Sequence, residues 1–174
     1  MTQTTQKPLP SIFGLTAIGA AFTLLVPGPA VVFGPWYMTH WVQQPAFFDI
    51  EATRYVGMAL IPIGLVVYWV AVTTLGREGV NPIPVPAITH IVNTGIFAWV
   101  RNPMYVGALT MMVGQTLLFG SRGLLVYTLV WFGVFNLFEL TFDEKVLMKE
   151  FPDVYGPYKK SVPMWIPRPP RAKR

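Results

Sequence analysis

The segment from residue 95 to residue 107 reads GIFAWVRNPMYVG and decides how the rest of the chain is interpreted. It places a cation, Arg101, directly before a long apolar run of membrane-helix character. Further along, a polar cluster of Glu139, Asp143 and Glu144 stands at the end of the next apolar run. Charges next to the hydrocarbon core of a bilayer are costly, so this pattern predicts a functional site.

The composition predicts an integral membrane protein. Of the 174 residues, 53% are hydrophobic and only 12% are charged, whereas soluble domains carry about 25% charged residues. A chain of this length predicts a single all-α membrane domain over residues 1–174. There are no cysteines and only two histidines, His40 and His90. This set is too small to predict a metal site.

Four apolar stretches are long enough to be predicted as membrane spans. The turn between the last two, Ser121-Arg122-Gly123, is so short that they should form an antiparallel hairpin. The predicted spans cover about residues 12–35, 55–75, 103–120 and 124–142.

The distribution of basic residues predicts the orientation. An even number of spans puts both termini on one side, and among the 13 Lys and Arg only Arg54 and Arg122 fall on the other. The positive-inside rule therefore predicts that both termini are cytoplasmic. Anionic lipid then accounts for the basic tail, so no nucleic-acid partner is predicted. The proline-rich segment 81–86 is predicted to be extended, either covering a site or serving as a spacer.

The hairpin should bring Arg101 and the acids of residues 139–144 to the same membrane depth. Two interpretations stay open, a structural ion pair and the wall of a polar, cytoplasm-facing pocket. Tyr105 lies one helical turn after Arg101, on the same face. Gly107 and Gly114 leave room either for close helix packing or for a flat ligand.

Four further polar residues have two interpretations each. Gln115 and Asn136 are more simply explained by interhelical hydrogen bonds than by ligand contacts. Tyr155 and Tyr158 follow Pro152, and they either fold back over the site or form an interfacial aromatic belt.

At these residues the chain resembles the superfamily of isoprenylcysteine carboxyl methyltransferases and phospholipid methyltransferases, which are integral membrane enzymes. The resemblance covers residues 88–168. The segments that carry it are GIFAWVRNPMYVG at 95–107, DEKVL at 143–147, FPDVYGPY at 151–158 and VPMWIP at 162–167.

The resemblance implies S-adenosylmethionine (SAM) as methyl donor, bound by residues 88–168 and open to the cytoplasm. It implies Arg101 and Glu144 as catalytic residues. The cofactor-binding residues that it implies are Gly95, Val100, Arg101, Asn102, Tyr105, Gly107, Asp143, Glu144, Tyr155 and Tyr158.

Three positions depart from the family pattern. Asn102 stands where histidine is commoner, and Pro152 stands in place of a glycine. Asp143 stands where the family has the first of two glutamates. The shorter arm moves a contact by about one methylene, which is enough to alter how a substrate is positioned.

Methyl transfer from a sulfonium needs orientation and a water-poor site more than it needs acid–base groups. Asp143 or Glu144 would stabilise the sulfonium, and Arg101 would hold a carboxylate of the cofactor or of the acceptor. A carboxylate acceptor needs no base, so the lack of an obvious buried histidine favours an isoprenylcysteine-like acid or another lipid acid. A phospholipid amine is the alternative acceptor. In either case the expected partner is a lipid-like or prenylated molecule in the bilayer.

Two rival functions come from other classes. A similar Arg-x-Pro-x-Tyr-x-Gly pattern ends the NADPH-dependent sterol reductases, but those proteins have more spans than 174 residues can supply. The second rival is a non-catalytic lipid-binding membrane protein with a vestigial pocket. The intact Tyr105 and Glu144 disfavour it.

Overall fold

The computed structural model describes residues 28–80 and 90–170. Within these two ranges all regular structure is helical, which confirms the predicted all-α class for this part of the chain. Most of the predicted first span and the proline-rich segment 81–86 lie outside the described residues.

Six α-helices follow one another in these ranges, interrupted by short π and 3₁₀ turns. The α-helices are α1 (Gly34–Thr39), α2 (Ala52–Arg77), α3 (Pro103–Phe119), α4 (Arg122–Phe138), α5 (Glu144–Glu150) and α6 (Pro152–Ser161). A π turn, Pro29–Phe33, precedes α1, and a second π turn, Glu139–Asp143, joins α4 to α5. The 3₁₀ turns are Phe47–Asp49 and Gly95–Ala98.

Two helical segments are long and apolar enough to cross a bilayer. They are α2 and the continuous segment Arg122–Glu150, while α3 is apolar but has only 17 residues. Large apolar side chains such as Val66 and Leu129 are about 60% exposed on their outer faces, at 61% and 60%. A lipid environment accounts for such surfaces, because large apolar areas are unfavourable in contact with water. The count of four spans stays a prediction.

The predicted boundaries are close for α2 and α3 but not for the last span. The helical backbone does not end at residue 142 and instead continues through the π turn to Glu150. In the structure Glu139 and Glu144 are buried among protein groups, so they do not end the helix.

Glycines bring α2 and α3 into close antiparallel contact. A Cβ added to Gly57 would lie 2.5 Å from the carbonyl oxygen of Gly114, and one added to Gly64 would lie 2.6 Å from that of Gly107. Atoms cannot approach so closely, so only glycine fits at these four positions. Of the two predicted uses of Gly107 and Gly114, the structure shows close helix packing.

The first π turn is held by the hairpin. Gln115 Nε2 donates to the carbonyl oxygen of Val31 at 2.9 Å, and the Tyr127 hydroxyl donates to that of Ala30 at 2.9 Å. The predicted interhelical hydrogen bond of Gln115 is therefore confirmed. Asn136 behaves differently, because its Nδ2 donates to Phe132 of its own helix.

The segment after α6 returns to the start of α3 and fixes it. The amide of Arg101 donates to the carbonyl oxygen of Pro163 at 2.9 Å, and the amide of Arg168 donates to that of Trp99 at 3.0 Å. Trp165 Nε1 donates to Asn136 Oδ1 on α4 at 3.0 Å. These bonds tie the C-terminal segment to both helices of the hairpin and set the position of the Arg101 backbone.

Candidate functional site

A cavity of about 390 Å³ lies where α3 begins and α4 passes into α5. This volume is within the range of small-molecule sites, roughly 300–1,000 Å³. The walls are mostly apolar, with aromatic side chains of α4 along one side. The polar lining consists of His90, Arg101, Asn102, Tyr105, Glu139, Asp143, Tyr155 and Tyr158.

Three charged side chains form a linked group at one end of this cavity. Arg101 Nη1 lies 2.6 Å from Glu144 Oε1, and Lys159 Nζ lies 2.5 Å from Glu144 Oε2. The side chains of Arg101 and Glu144 are 9% and 8% exposed, while that of Lys159 is 43% exposed. The approach of Arg101 to the acids of residues 139–144, predicted from the tight turn, is therefore confirmed for Glu144.

The two tyrosines of α6 close over this end. Arg101 Nη1 donates to the Tyr155 hydroxyl at 3.2 Å, and the Tyr158 hydroxyl donates to the carbonyl oxygen of Phe97 at 2.8 Å. Of the two interpretations open for these residues, the structure shows folding back over the site. Burial, with a smaller effect from the charge of Glu139, raises the pKa of Tyr155 to about 12, so this hydroxyl stays neutral.

The same contacts settle the charge of the arginine. Burial by itself lowers the pKa of Arg101, but the hydrogen bond to Glu144 and the interactions with Tyr155 outweigh it and leave that pKa above its ordinary value. Arg101 is therefore a fixed cation at the cavity wall.

Two carboxyl groups face the cavity from the π turn. Glu139 is only 2% exposed, and Asp143 Oδ2 accepts a hydrogen bond from the Tyr105 hydroxyl at 3.3 Å. The Tyr105 ring stacks on Phe135 of α4 with centroids 4.6 Å apart. Within residues 28–80 and 90–170, neither carboxyl group forms an ion pair with a lysine, arginine or histidine.

The π turn explains why the three acids point to different places. An extra residue in one turn rotates the helix beyond it, and such turns are frequent at functional sites. Here it directs Glu139 and Asp143 to the cavity, while Glu144 meets Arg101 and Lys159.

Two buried donors at the cavity wall are unsatisfied. Arg101 Nε and Asn102 Nδ2 make no hydrogen bond with any of the described residues. An unsatisfied buried donor costs about 1–3 kcal/mol. Both atoms are fully buried, so a ligand in the cavity does not reach them in this conformation.

The structure brings most of the predicted site residues together. Arg101, Asn102, Tyr105, Asp143, Tyr155 and Tyr158 line the cavity. Glu144 lies behind Arg101 and contacts it directly. Their part in binding a cofactor stays a prediction.

Three of the predicted residues lie elsewhere. Gly95 has a positive φ of 54° and an added Cβ would meet Thr74 of α2. Val100 is 1% exposed and is not part of the cavity wall. Gly107 packs against Gly64, away from the cavity. Their proposed contact with a cofactor also stays a prediction.

The sequence interpretation assigned no role to Lys159 or His90, and it left Glu139 out of the binding residues. Lys159 follows Tyr155 by four residues, so a shared helical face was the available signal. His90 lines the cavity and its Nε2 lies 3.9 Å from Glu78 Oε2. No sequence signal indicated that contact.

Known methyltransferases are similar to this chain in sequence. The phospholipid methyltransferase family model matches residues 52–154. A protein-S-isoprenylcysteine O-methyltransferase of Schizosaccharomyces pombe is 37% identical over 78 residues, which is 44% of this chain and 33% of the yeast protein. A probable protein-S-isoprenylcysteine O-methyltransferase of Oryza sativa subsp. japonica is 30% identical over 138 residues, covering 75% of this chain and 70% of the rice protein.

The match to the yeast protein thus spans only a third of its length, whereas the match to the rice protein spans most of it. The family model covers more than half of the chain and includes α2, α3, α4 and α5. The chain therefore belongs to the phospholipid methyltransferase family and is a methyltransferase.

Proposed function

We propose that this member of the phospholipid methyltransferase family transfers a methyl group from SAM to an amphiphilic acceptor at the membrane, and that the acceptor is the carboxylate of an isoprenylcysteine-like lipid. One observation carries the proposal. The cavity wall combines a fixed cation, two carboxyl groups that form no ion pair with any of the described residues, and a mostly apolar lining.

The charges of this cavity complement those of SAM. The cofactor carries one carboxylate, one ammonium group and one sulfonium cation. Arg101, a cation in the cavity wall, suits the carboxylate. Glu139 and Asp143 suit the two cations, and the aromatic wall suits the adenine ring.

When bound, SAM supplies an electrophilic methyl group. The residues of the cavity would hold and orient the reactants and keep water out, which is the main requirement for an in-line displacement. Asp143 and Glu139 are proposed as the carboxyl groups beside the sulfonium. Glu144 is not, because Arg101 and Lys159 occupy both of its oxygens. Its proposed role is to hold Arg101 in place.

The acceptor follows from chemistry and from the relatives. A carboxylate attacks without losing a proton, so it needs no base. The two relatives described above are named as isoprenylcysteine O-methyltransferases, which favours such an acid. Leu75, Met104, Phe138 and Phe142 add apolar surface to the cavity wall, which suits a lipid chain.

A phospholipid amine is the second candidate acceptor. The description of the matching family favours it, and so does the position of His90 at the cavity wall. An ammonium acceptor must first lose a proton, and His90 beside Glu78 is the group that could accept it.

The proposed topology has both termini and the cavity facing the cytoplasm. The cavity lies at the ends of the helices that carry Arg77 and Arg101, while Arg54 and Arg122 lie at the opposite ends. Since the chain has no cysteine, single cysteines introduced at exposed Glu51 and Lys145 can report the topology. A membrane-impermeant thiol reagent applied to intact cells should label the first and not the second.

The function is tested by incubating the purified protein with deuteriomethyl-SAM and a membrane lipid extract, followed by mass spectrometry. The proposal expects a methyl ester of a lipid acid that gains one CD₃ group. Labelled phosphatidylethanolamine would establish the amine alternative instead. Saturable binding of tritiated SAM that NADPH does not displace would exclude the reductase rival.

The site assignment is tested by SAM binding to Arg101→Ala and Glu144→Gln. Both variants should lose most of their SAM affinity while eluting from size-exclusion chromatography in detergent like the unsubstituted protein. Unchanged SAM affinity in both would remove the site from this cavity. Absence of any labelled product with a SAM-binding protein would favour the non-catalytic rival.

A further inference from the structure

The helix α6 places two functional groups on one face. Tyr155 and Lys159 are four residues apart, so their side chains lie one above the other. Tyr155 is buried against Arg101, and Lys159 reaches the outer oxygen of Glu144. Together with Phe151 at the start of α6, these contacts bring α6 against α5 and the start of α3.

Lys159 sets the net charge of the group formed by Arg101, Glu144 and Lys159. An arginine paired with a glutamate has no net charge and attracts an anion weakly. With Lys159 on the second oxygen of Glu144, the three groups carry a net charge of one positive unit. Lys159 therefore makes the field of this group more favourable for an anion than the Arg101–Glu144 pair alone would, and such a field falls off slowly in a region of low dielectric constant.

Arg101 and Lys159 each contact a different carboxylate oxygen of Glu144, and this arrangement also indicates a role for Lys159. Arg101 contacts only Oε1 and Lys159 contacts only Oε2, so the arginine does not form the bidentate pair that carboxylates often make with guanidinium groups. Arg101 also lines the cavity, and the side-chain hydrogen bonds that it makes to described residues use only its Nη1. Its side chain is 9% exposed, so it is fixed rather than free to turn away.

We infer that Lys159 is a positioning residue. It binds one carboxylate oxygen of Glu144, so that Arg101 contacts only the other oxygen and remains available to a carboxylate of the ligand. This inference rests on the proposed function, because it concerns the end of the cavity assigned to the cofactor carboxylate. Lys159 itself touches no ligand in this account and acts through Glu144 and Arg101.

The test compares two ligands that differ only in the carboxylate. Decarboxylated SAM keeps the sulfonium, the amine and the adenosine. Dissociation constants for SAM and decarboxylated SAM are measured on the full chain in detergent, for the unsubstituted protein, Lys159→Met and Lys159→Arg. Lys160→Met is the matched control, since Lys160 is an exposed neighbour on α6 without an ion pair in the described part of the chain.

Lys159→Met should weaken SAM binding about tenfold, from the loss of one screened charge, and leave the binding of decarboxylated SAM unchanged. Lys159→Arg should keep the SAM affinity, and Lys160→Met should alter neither ligand. A merely structural Lys159, holding α6 in place, would weaken both ligands equally, and that result overturns the inference. So does a Lys159→Met variant that binds SAM normally. If the unsubstituted protein binds neither ligand, the proposed function fails, which is a different result.

Discussion

Two parts of α3 have opposite surroundings: one packs tightly against a neighbouring helix, and the other borders a cavity. In its middle and C-terminal part, Gly107 and Gly114 bring the backbone of α3 against α2 with no space between the helices. At its N-terminal end, Arg101 and Tyr105 face a cavity of about 390 Å³. The first region is stabilised by packing, whereas the second brings charged and polar side chains to the wall of a cavity.

This difference shows that the segment GIFAWVRNPMYVG is not a single binding motif. Its arginine, asparagine and tyrosine line the cavity, whereas its last glycine packs on a neighbouring helix. The close contact holds α3 at a fixed depth against α2. Arg101 is thereby held at the height where Glu144 and Tyr155 can reach it.

The largest expected effect concerns the contact between α2 and α3. A Cβ at Gly107 would lie 2.7 Å from the carbonyl oxygen of Gly64 and from the amide of Tyr68. Gly107→Leu should therefore lower the free energy of unfolding by about 3 kcal/mol, because the helices must separate. Thermal unfolding in detergent measures the loss.

The matched control is Gly133→Leu on α4, where an added Cβ meets nothing within 4 Å. It should unfold at the temperature of the unsubstituted protein or slightly above, because leucine favours helix more than glycine does. Equal stability of the two variants would show that the α2–α3 contact is not tightly packed and would break the comparison.

The sequence predicted the cavity region of the hairpin better than it predicted the contact between α2 and α3. The apolar runs and the Ser121-Arg122-Gly123 turn were sufficient to predict the hairpin and the approach of Arg101 to the acids of residues 139–144, because a tight turn fixes which helix ends meet. The partner of Gly107 was not predictable. It depends on which face of α2 turns towards α3, and the apolar residues of α2 surround the helix rather than marking one face.

The π turn was likewise beyond the sequence. Glu139 and Asp143 are spaced as neighbours on an ordinary helix, and nothing local indicates the extra residue in that turn. It forms where tertiary contacts favour it, with Asp143 bonded to Tyr105 and Glu144 bonded to Arg101. The contact of Lys159 with Glu144 was not predicted for a similar reason, since it is known only once α6 has been placed.

The next effect tests whether the two carboxyl groups in the cavity wall bind a cation. Replacing both Glu139 and Asp143 by their amides keeps the shape and removes the charge. We expect SAM affinity to fall by about 2 kcal/mol, roughly thirtyfold in Kd. Isothermal titration calorimetry measures it. Glu150→Gln, an exposed carboxylate at the end of α5, is the control and should bind SAM normally. Equal binding by all three proteins would place the sulfonium elsewhere.

The smallest expected effect concerns Tyr105, which lies in the same cavity wall. Tyr105→Phe removes the hydroxyl that donates to Asp143 but keeps the ring that stacks on Phe135. A hydrogen bond of this kind contributes about 1 kcal/mol, so the Michaelis constant for SAM should rise roughly fivefold with little change in thermal stability. A lower unfolding temperature with unchanged kinetics would assign Tyr105 to packing rather than to the cavity.

The most direct test of the central claim is to locate bound SAM on the chain. Ultraviolet cross-linking of radiolabelled SAM, followed by peptide mapping with mass spectrometry, identifies the residues beside the ligand. The account predicts label on the peptide containing Met104 and Tyr105 and on the one containing Phe138 and Phe142, all of which line the cavity. Label confined to the α2 peptide around Val66, on the outer surface, would contradict it.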